Sequence, residues 1–232
     1  MKSAGIIGGL GPETTAEFYL DVIDGFKSRK FPQRPSLYIA NVPVVLAYEQ
    51  EFILNSKGIE RFLPYLLNEA RNLEKAGSDF IVMPCNSLHF YIEDLRRHVR
   101  IPVLSIVEEA VKFIELKGIR EVGFISTAGT SKLELYDQQF RKKKIEYHKP
   151  DPQKQKEIDL IISRLLQGIK TVNDRAKLID IIGHFNTFGV EHLLLACTDL
   201  QILDPIHPEI HVYDTMKILA EATIDFMLGT KA

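Results

Sequence analysis

The chain has 232 residues, 45% of them hydrophobic, which suits one large or two modest domains around packed cores. Its 29 basic and 31 acidic side chains leave a net charge of −2, so there is no electrostatic footprint for nucleic acid, and no apolar run reaches membrane-spanning length. The N-terminal stretch lacks the basic region and cleavage site of a signal peptide, and a soluble cytoplasmic protein is expected. The 2 cysteines, Cys85 and Cys197, are then expected as free thiols, and no Cys/His spacing of metal-ligand type accompanies them, so no metal is expected.

Along the chain, Ala4 to Gly8 reads as a short apolar strand that runs through Gly8-Gly9-Leu10-Gly11-Pro12 into a helix from Glu13 to Ser28, with Pro12 and Thr14 at helix-start positions. Gly9 permits a tight turn with backbone close to a ligand. A dinucleotide fingerprint is rejected: Thr14 replaces the third glycine, and the next strand, Leu37 to Val42, ends on Asn41 without an acidic ribose partner. A carboxylate cradle suits the short loop better. Pro43 to Ile59 reads as a long irregular loop with room for a helical turn, of the kind used as a lid. A helix from Ile59 to Gly77 leads into the strand Phe80-Ile81-Val82-Met83, the turn Pro84-Cys85-Asn86-Ser87 and a helix from His89 to His98. Ile101 to Ile106 is the next strand, followed by a helix from Val107 to Leu116.

The order then begins again. Glu121 to Ile125 is a strand, Ser126-Thr127-Ala128-Gly129-Thr130 opens a helix through Arg141, and Ile145 to His148 is a short strand. Helices at Asp159 to Gln167 and Asp174 to Phe188 precede the Cys197 strand; Ile210 to Thr215 forms a last strand and Met216 to Leu228 a last helix. Landmarks recur at offsets of roughly 110 residues, the self-similarity of a duplicated unit. The expected fold is α/β: two similar Rossmann-like halves with parallel sheets, related by a pseudo-two-fold axis. The expected domains are 1–104 plus 208–232, carrying Cys85, and 105–207, carrying Cys197. Ligands of such sheets bind beyond the carboxyl ends of the strands, where both cysteines lie, so the expected active site is a cleft between the halves with one thiol on either side.

A lone Cys is usually a small buried hydrophobe, but two in matching strand-to-turn contexts point to chemistry. The first turn of a helix offers unpaired N–H groups and a partial positive charge, which favour a thiolate or a bound carboxylate. Two thiols across a cleft supply a base for one face of a carbon and an acid for the other. Asn86, Ser87 and Thr198 adjoin the thiols and are either helix caps or ligand contacts, and Thr127 and Thr130 stand in the matching turn of the second half. His89, one helical turn beyond Cys85, either tunes the thiolate or fills a polar gap.

The segments Met83-Pro84-Cys85-Asn86-Ser87-Leu88-His89, Ala196-Cys197-Thr198-Asp199 and Gly5-Ile6-Ile7-Gly8-Gly9-Leu10-Gly11-Pro12-Glu13-Thr14 resemble, in order and spacing, the aspartate/glutamate racemase superfamily, closest to its cofactor-independent aspartate racemases. The resemblance covers essentially the whole chain. It implies interconversion of L- and D-aspartate without pyridoxal phosphate or any other cofactor, with Cys85 and Cys197 as paired acid/base catalysts. It also implies Asn86, Ser87 and Thr198 as substrate contacts, Lys170 in Gln167-Gly168-Ile169-Lys170 on a substrate carboxylate, and a homodimer; Gly9, Thr127 and Thr130 are further substrate-contact candidates from their turns, and His89 and Asp199 are expected behind the thiols. Ser87, Ala196 and Asp199 stand where Thr, Gly and Glu are usual. The segment Asn41 to Lys57, where aspartate racemases use an Arg for the side-chain carboxylate, contains no Arg. Glutamate or a neutral amino acid as substrate stays open on that ground, as does a catalytically silent small-carboxylate binding protein.

Overall fold

The computed structural model describes residues 1–230. The elements run β1 (Ala4–Gly8), α1 (Pro12–Ser28), β2 (Leu37–Asn41), α2 (Leu46–Asn55), α3 (Leu63–Lys75), β3 (Phe80–Val82), α4 (Ile92–His98), α5 (Ile106–Leu116), β4 (Glu121–Ser126) and α6 (Ala128–Lys132). There follow α7 (Leu135–Lys143), β5 (Glu146–His148), α8 (Pro152–Leu165), α9 (Val172–Gly183), β6 (His192–Ala196), β7 (His211–Asp214) and α10 (Thr215–Leu228). Two compact units divide them: residues 1–45, 59–109 and 216 onward in the first, 46–58 and 110–215 in the second.

In the first unit the sheet order is β2-β1-β3, all parallel. β1 lies between two neighbours and is buried throughout, which is why Ala4-Gly5-Ile6-Ile7-Gly8 carries no polar side chain. The expected strand Ile101 to Ile106 contracts to a single bridge between Ile81 and Val103. Pro102 has no N–H to extend a ladder, and the chain has already turned into α5 at Ile106. α10 packs on this unit: Phe226 lies 4.6 Å from Phe80 between ring centroids, and Lys2 N–H donates to the Met227 carbonyl.

The second unit carries a sheet of order β5-β4-β6-β7, again all parallel. It repeats the first order, with β7 in the place of the Val103 bridge. β7 is hydrogen-bonded to β6, so the return to the first unit comes at residue 216 rather than at 208. Phe124, Tyr136 and Phe140 form an aromatic cluster on one face of β4. Elsewhere in this core, Gly123 leaves room for the buried ring of Phe185, which would be 2.8 Å from an added Cβ.

Several boundaries differ from the expected ones for local reasons. α8 starts at Pro152 rather than 159 because Asp151 caps it, its carboxylate accepting from Gln153 N–H and Lys154 N–H, both at 2.9 Å. The helix expected through Arg141 is broken into α6 and α7 at Glu134, whose φ of 52° is left-handed. The segment 43–59, expected as an irregular loop, contains the ten-residue helix α2, which belongs to the second unit. Phe52 and Ile53 of α2 are buried, and the Phe52 ring lies over Gly129, where a Cβ would come within 2.7 Å of it. Among the described residues, no helix is long and apolar enough to cross a membrane.

Gly123→Ala forces the buried Phe185 ring out of its position and is expected to destabilise the fold by about 1–3 kcal/mol, the usual range for overpacking a core. Urea unfolding measures it, and an unchanged midpoint would show that the ring is not held as described.

Candidate active site

Cys85 leaves the carboxyl end of β3 on a tight bend: its N–H donates to the Met83 carbonyl at 2.8 Å, across Pro84. Met83 and Pro84 are buried and the thiol-bearing residue is half-exposed. Next comes a 3₁₀ turn, Ser87–Tyr91, and only then α4. The α-helix expected from His89 thus begins only at Ile92, behind a short 3₁₀ turn, so the groups nearest the thiol are local amides rather than the end of a long helix. Asn86 stands at the N-cap position of that turn but makes no side-chain cap hydrogen bond, although it is only 3% exposed. Capping therefore does not account for this buried amide. Ser87, the first residue inside the turn, is half-buried.

His89 is 3% exposed and both ring nitrogens are engaged. Ile106 N–H donates to Nε2 at 3.1 Å, which makes Nε2 the acceptor and puts the ring proton on Nδ1, 2.7 Å from the Cys85 carbonyl oxygen that it donates to. In this arrangement the acceptor nitrogen is occupied by the Ile106 N–H. The ring thereby bridges the Cys85 turn and the start of α5.

In the second unit Cys197, 5% exposed, directly follows the carboxyl end of β6 in an extended conformation and precedes a 3₁₀ turn, Thr198–Leu203. The Cys197 S–H faces Asp199 Oδ2 at 3.9 Å, a long thiol-to-carboxylate hydrogen bond. Thr198 is buried beside it. The far end of the turn is tied down by Arg175, whose guanidinium donates to the Leu203 carbonyl at 2.9 Å and to the Asp204 carbonyl at 3.0 Å. At the neighbouring carboxyl end, that of β4, Thr127 is a true cap: its Oγ1 accepts from Thr130 N–H at 3.0 Å and donates to Thr130 Oγ1 at 2.9 Å. The same turn is braced from α8 by Gln155, donating to the Ser126 carbonyl at 2.9 Å, and by Asp159, accepting from Ala128 N–H at 3.0 Å. Burial pushes the Asp159 carboxyl up, against the pull of those two donors. Gln155, Asp159 and Arg175 carry no local sequence signal, since each acts on a carbonyl or amide distant in the chain.

Two further candidates stand differently. Gly9 has a φ of +83°, which only glycine adopts readily, and a Cβ there would come within 2.9 Å of Val42 N. Its N–H donates to Thr15 Oγ1 at 2.9 Å, so Gly9 shapes the turn. Lys170 is exposed on the connection between α8 and α9 and makes no hydrogen bond or ion pair among the described residues. That connection is pinned by a two-pronged ion pair of Arg164 with the buried Asp174 and by Thr171, which caps α9 at 3.0 Å. Among the described residues no group of three or more His, Cys, Asp or Glu side chains is gathered as metal ligands.

Burial drives the His89 pKa from 6.5 to about 4, against the pull of the Cys85 carbonyl. Below 6.5 the unfolded chain takes up a proton that the folded one refuses, so stability falls as pH drops from 6.5 towards 4. At pH 5 this amounts to about 2 kcal/mol relative to neutral pH. Chemical unfolding of the protein and of His89→Gln at pH 7.5 and 5.0 measures it: the variant is expected to lack that part of the decline, and equal declines would contradict a buried neutral ring.

Residues 7–223, spanning both units, match the Asp/Glu/Hydantoin racemase family. The broad specificity amino-acid racemase RacX of Bacillus subtilis (strain 168) is 27% identical over 233 residues, covering 97% of this chain and 98% of the relative. An aspartate racemase homologue from Pyrococcus horikoshii OT3 has a structure alike at a TM-score of 0.80 and 27% identity, over 98% of this chain and 100% of that one. The aspartate racemase of Picrophilus torridus shares the fold at a TM-score of 0.78 and 22% identity, over 98% and 94% of the two chains. With two like-ordered parallel sheets, each ending in a cysteine-bearing turn, and a family match that runs through both of them, the chain belongs to the Asp/Glu/Hydantoin racemase family.

Proposed function

We propose that this racemase interconverts the L- and D-forms of an amino acid by two-base proton transfer, Cys85 and Cys197 serving opposite faces of one α-carbon and exchanging roles with reaction direction, without a cofactor. The observation that carries the reading is the repeated station of the two cysteines: each follows the strand beside the central one of its sheet, and each is followed by a 3₁₀ turn. The α-proton of an amino acid is barely acidic, so the carbanion-like transition state needs positioned donors; the turn amides and the buried side chains of Asn86 and Thr198 are the proposed supply. Thr127 and Thr130 are proposed to support the substrate from the β4 turn, and Lys170, a cation without an internal partner among the described residues, to meet a carboxylate. Thiol catalysis requires reduced cysteines, which makes the cytoplasm the proposed location.

Aspartate is the first substrate proposed. A second reading, a neutral or broader range of amino acids, is favoured by α2: this helix occupies the segment where an Arg was expected, and its sequence Leu46-Ala47-Tyr48-Glu49-Gln50-Glu51-Phe52-Ile53-Leu54-Asn55 offers acidic groups instead. Carboxylate recognition at its strongest uses a guanidinium, and this helix has none.

Cys85→Ser and Cys197→Ser are each expected to lower racemisation by about 10²- to 10⁴-fold with unfolding midpoints unchanged, because a hydroxyl is a far weaker base than a thiolate. Chiral chromatography of aspartate, glutamate and a panel of neutral amino acids measures it. Near-normal turnover in either variant sinks the two-thiol mechanism. Turnover of neutral amino acids at rates well above aspartate would replace aspartate with the second reading.

A further inference from the structure

His89 joins two backbone groups that are far apart in the chain, the carbonyl of Cys85 and the first N–H of α5 at Ile106. The first N–H groups of a helix have no partner within it, so the ring satisfies an orphan donor with one nitrogen and grips the thiol-bearing residue with the other. Because Cys85 N–H is already bonded to the Met83 carbonyl, both backbone polar groups of Cys85 are fixed. The charged groups that face the ring, Glu108 and Arg96, are bound to each other through two hydrogen bonds of 2.9 and 2.7 Å, so the ring sees a compensated pair.

We propose that His89 is a positioning residue for the Cys85 thiol, acting as a neutral clamp through the Cys85 carbonyl and not as a proton acceptor. The inference rests on the reading of Cys85 as an acid/base catalyst, but its geometry can be tested without turnover. A donor bonded to the Cys85 carbonyl also polarises the peptide it shares with Asn86 and strengthens that amide as a donor. Loss of the clamp frees the bend to rotate the sulfur away from its line of attack, and a misplacement of about 1 Å is enough for a loss on the order of 10²-fold.

Two conservative variants separate the two halves of the clamp. His89→Asn places an amide N–H where Nδ1 stands and keeps the bond to the Cys85 carbonyl; His89→Gln reaches the position of Nε2 and keeps an acceptor for Ile106 N–H. The expected result is that kcat stays within about five-fold in the Asn variant and falls about 10²-fold in the Gln variant, with KM changing by less than about three-fold in both. In a Cys197→Ala background, the pH profile of Cys85 alkylation by iodoacetamide, read by mass spectrometry, is expected to shift upward in His89→Gln and to stay in place in His89→Asn. Equal kinetic losses in the two variants, tracking their stabilities, or alkylation profiles that coincide, would overturn the clamp. Separated alkylation profiles in a protein whose turnover proves independent of Cys85 would uphold the clamp and remove the catalytic reading instead.

Discussion

Parallel hydrogen bonding of β3 to β1 and of β6 to β4 sets where each cysteine leaves its sheet, and the proposed chemistry depends on that constraint. A parallel ladder needs a crossover between its strands, so every strand ends at the same edge and every turn there is open to a ligand. The strands that carry the cysteines are short and wholly or almost wholly buried, Phe80-Ile81-Val82 and His192-Leu193-Leu194-Leu195-Ala196, and have little freedom to slip. Each unit thereby holds one thiol-bearing turn at a fixed height in its own sheet.

The two turns are held by different means. Around Cys85 the grip is on the backbone, through Met83 and His89. Around Cys197 it lies on the sulfur, through Asp199, and on the end of the following turn, through Arg175. Asp199 is one methylene shorter than the usual Glu, and at 3.9 Å the contact is correspondingly long.

Much of the sheet framework was legible in the sequence because buried parallel strands leave continuous apolar runs bounded by glycine, and both sheets are built of such runs. The positions of Cys85 and Cys197 followed from the same runs. Two things were harder to see. α2 has its apolar residues at Leu46, Phe52, Ile53 and Leu54, without a clean helical stripe, and it is buried by docking on the second unit, a tertiary event with no local mark. The Ile101 to Ile106 run has the composition of a strand, and Pro102 was the local warning against it. The start of α8 was readable after all, since Asp151-Pro152 is a cap followed by a first-turn proline. In the candidate site, sequence could say that Asn86 and Thr127 each sit at a turn, but only the structure separates Thr127, whose hydroxyl caps, from Asn86, whose amide does not. Likewise the role of His89 turns on which nitrogen faces Ile106 N–H, information that no spacing contains.

The central claim is that two different groups handle the proton on the two faces of the α-carbon, and the isotope content of each enantiomer tests it most directly. In deuterated water, starting from a single protiated enantiomer of a turned-over amino acid, a two-base enzyme returns unreacted substrate with its proton, because the base that removed it gives it back to the same face. The opposite enantiomer acquires deuterium from the other thiol. Proton NMR of the α-position combined with chiral separation at early times is predicted to find deuterium in the product enantiomer and protium in the residual substrate. Deuterium entering both enantiomers at equal rates from the first turnovers would mean that one base serves both faces, and would contradict the account.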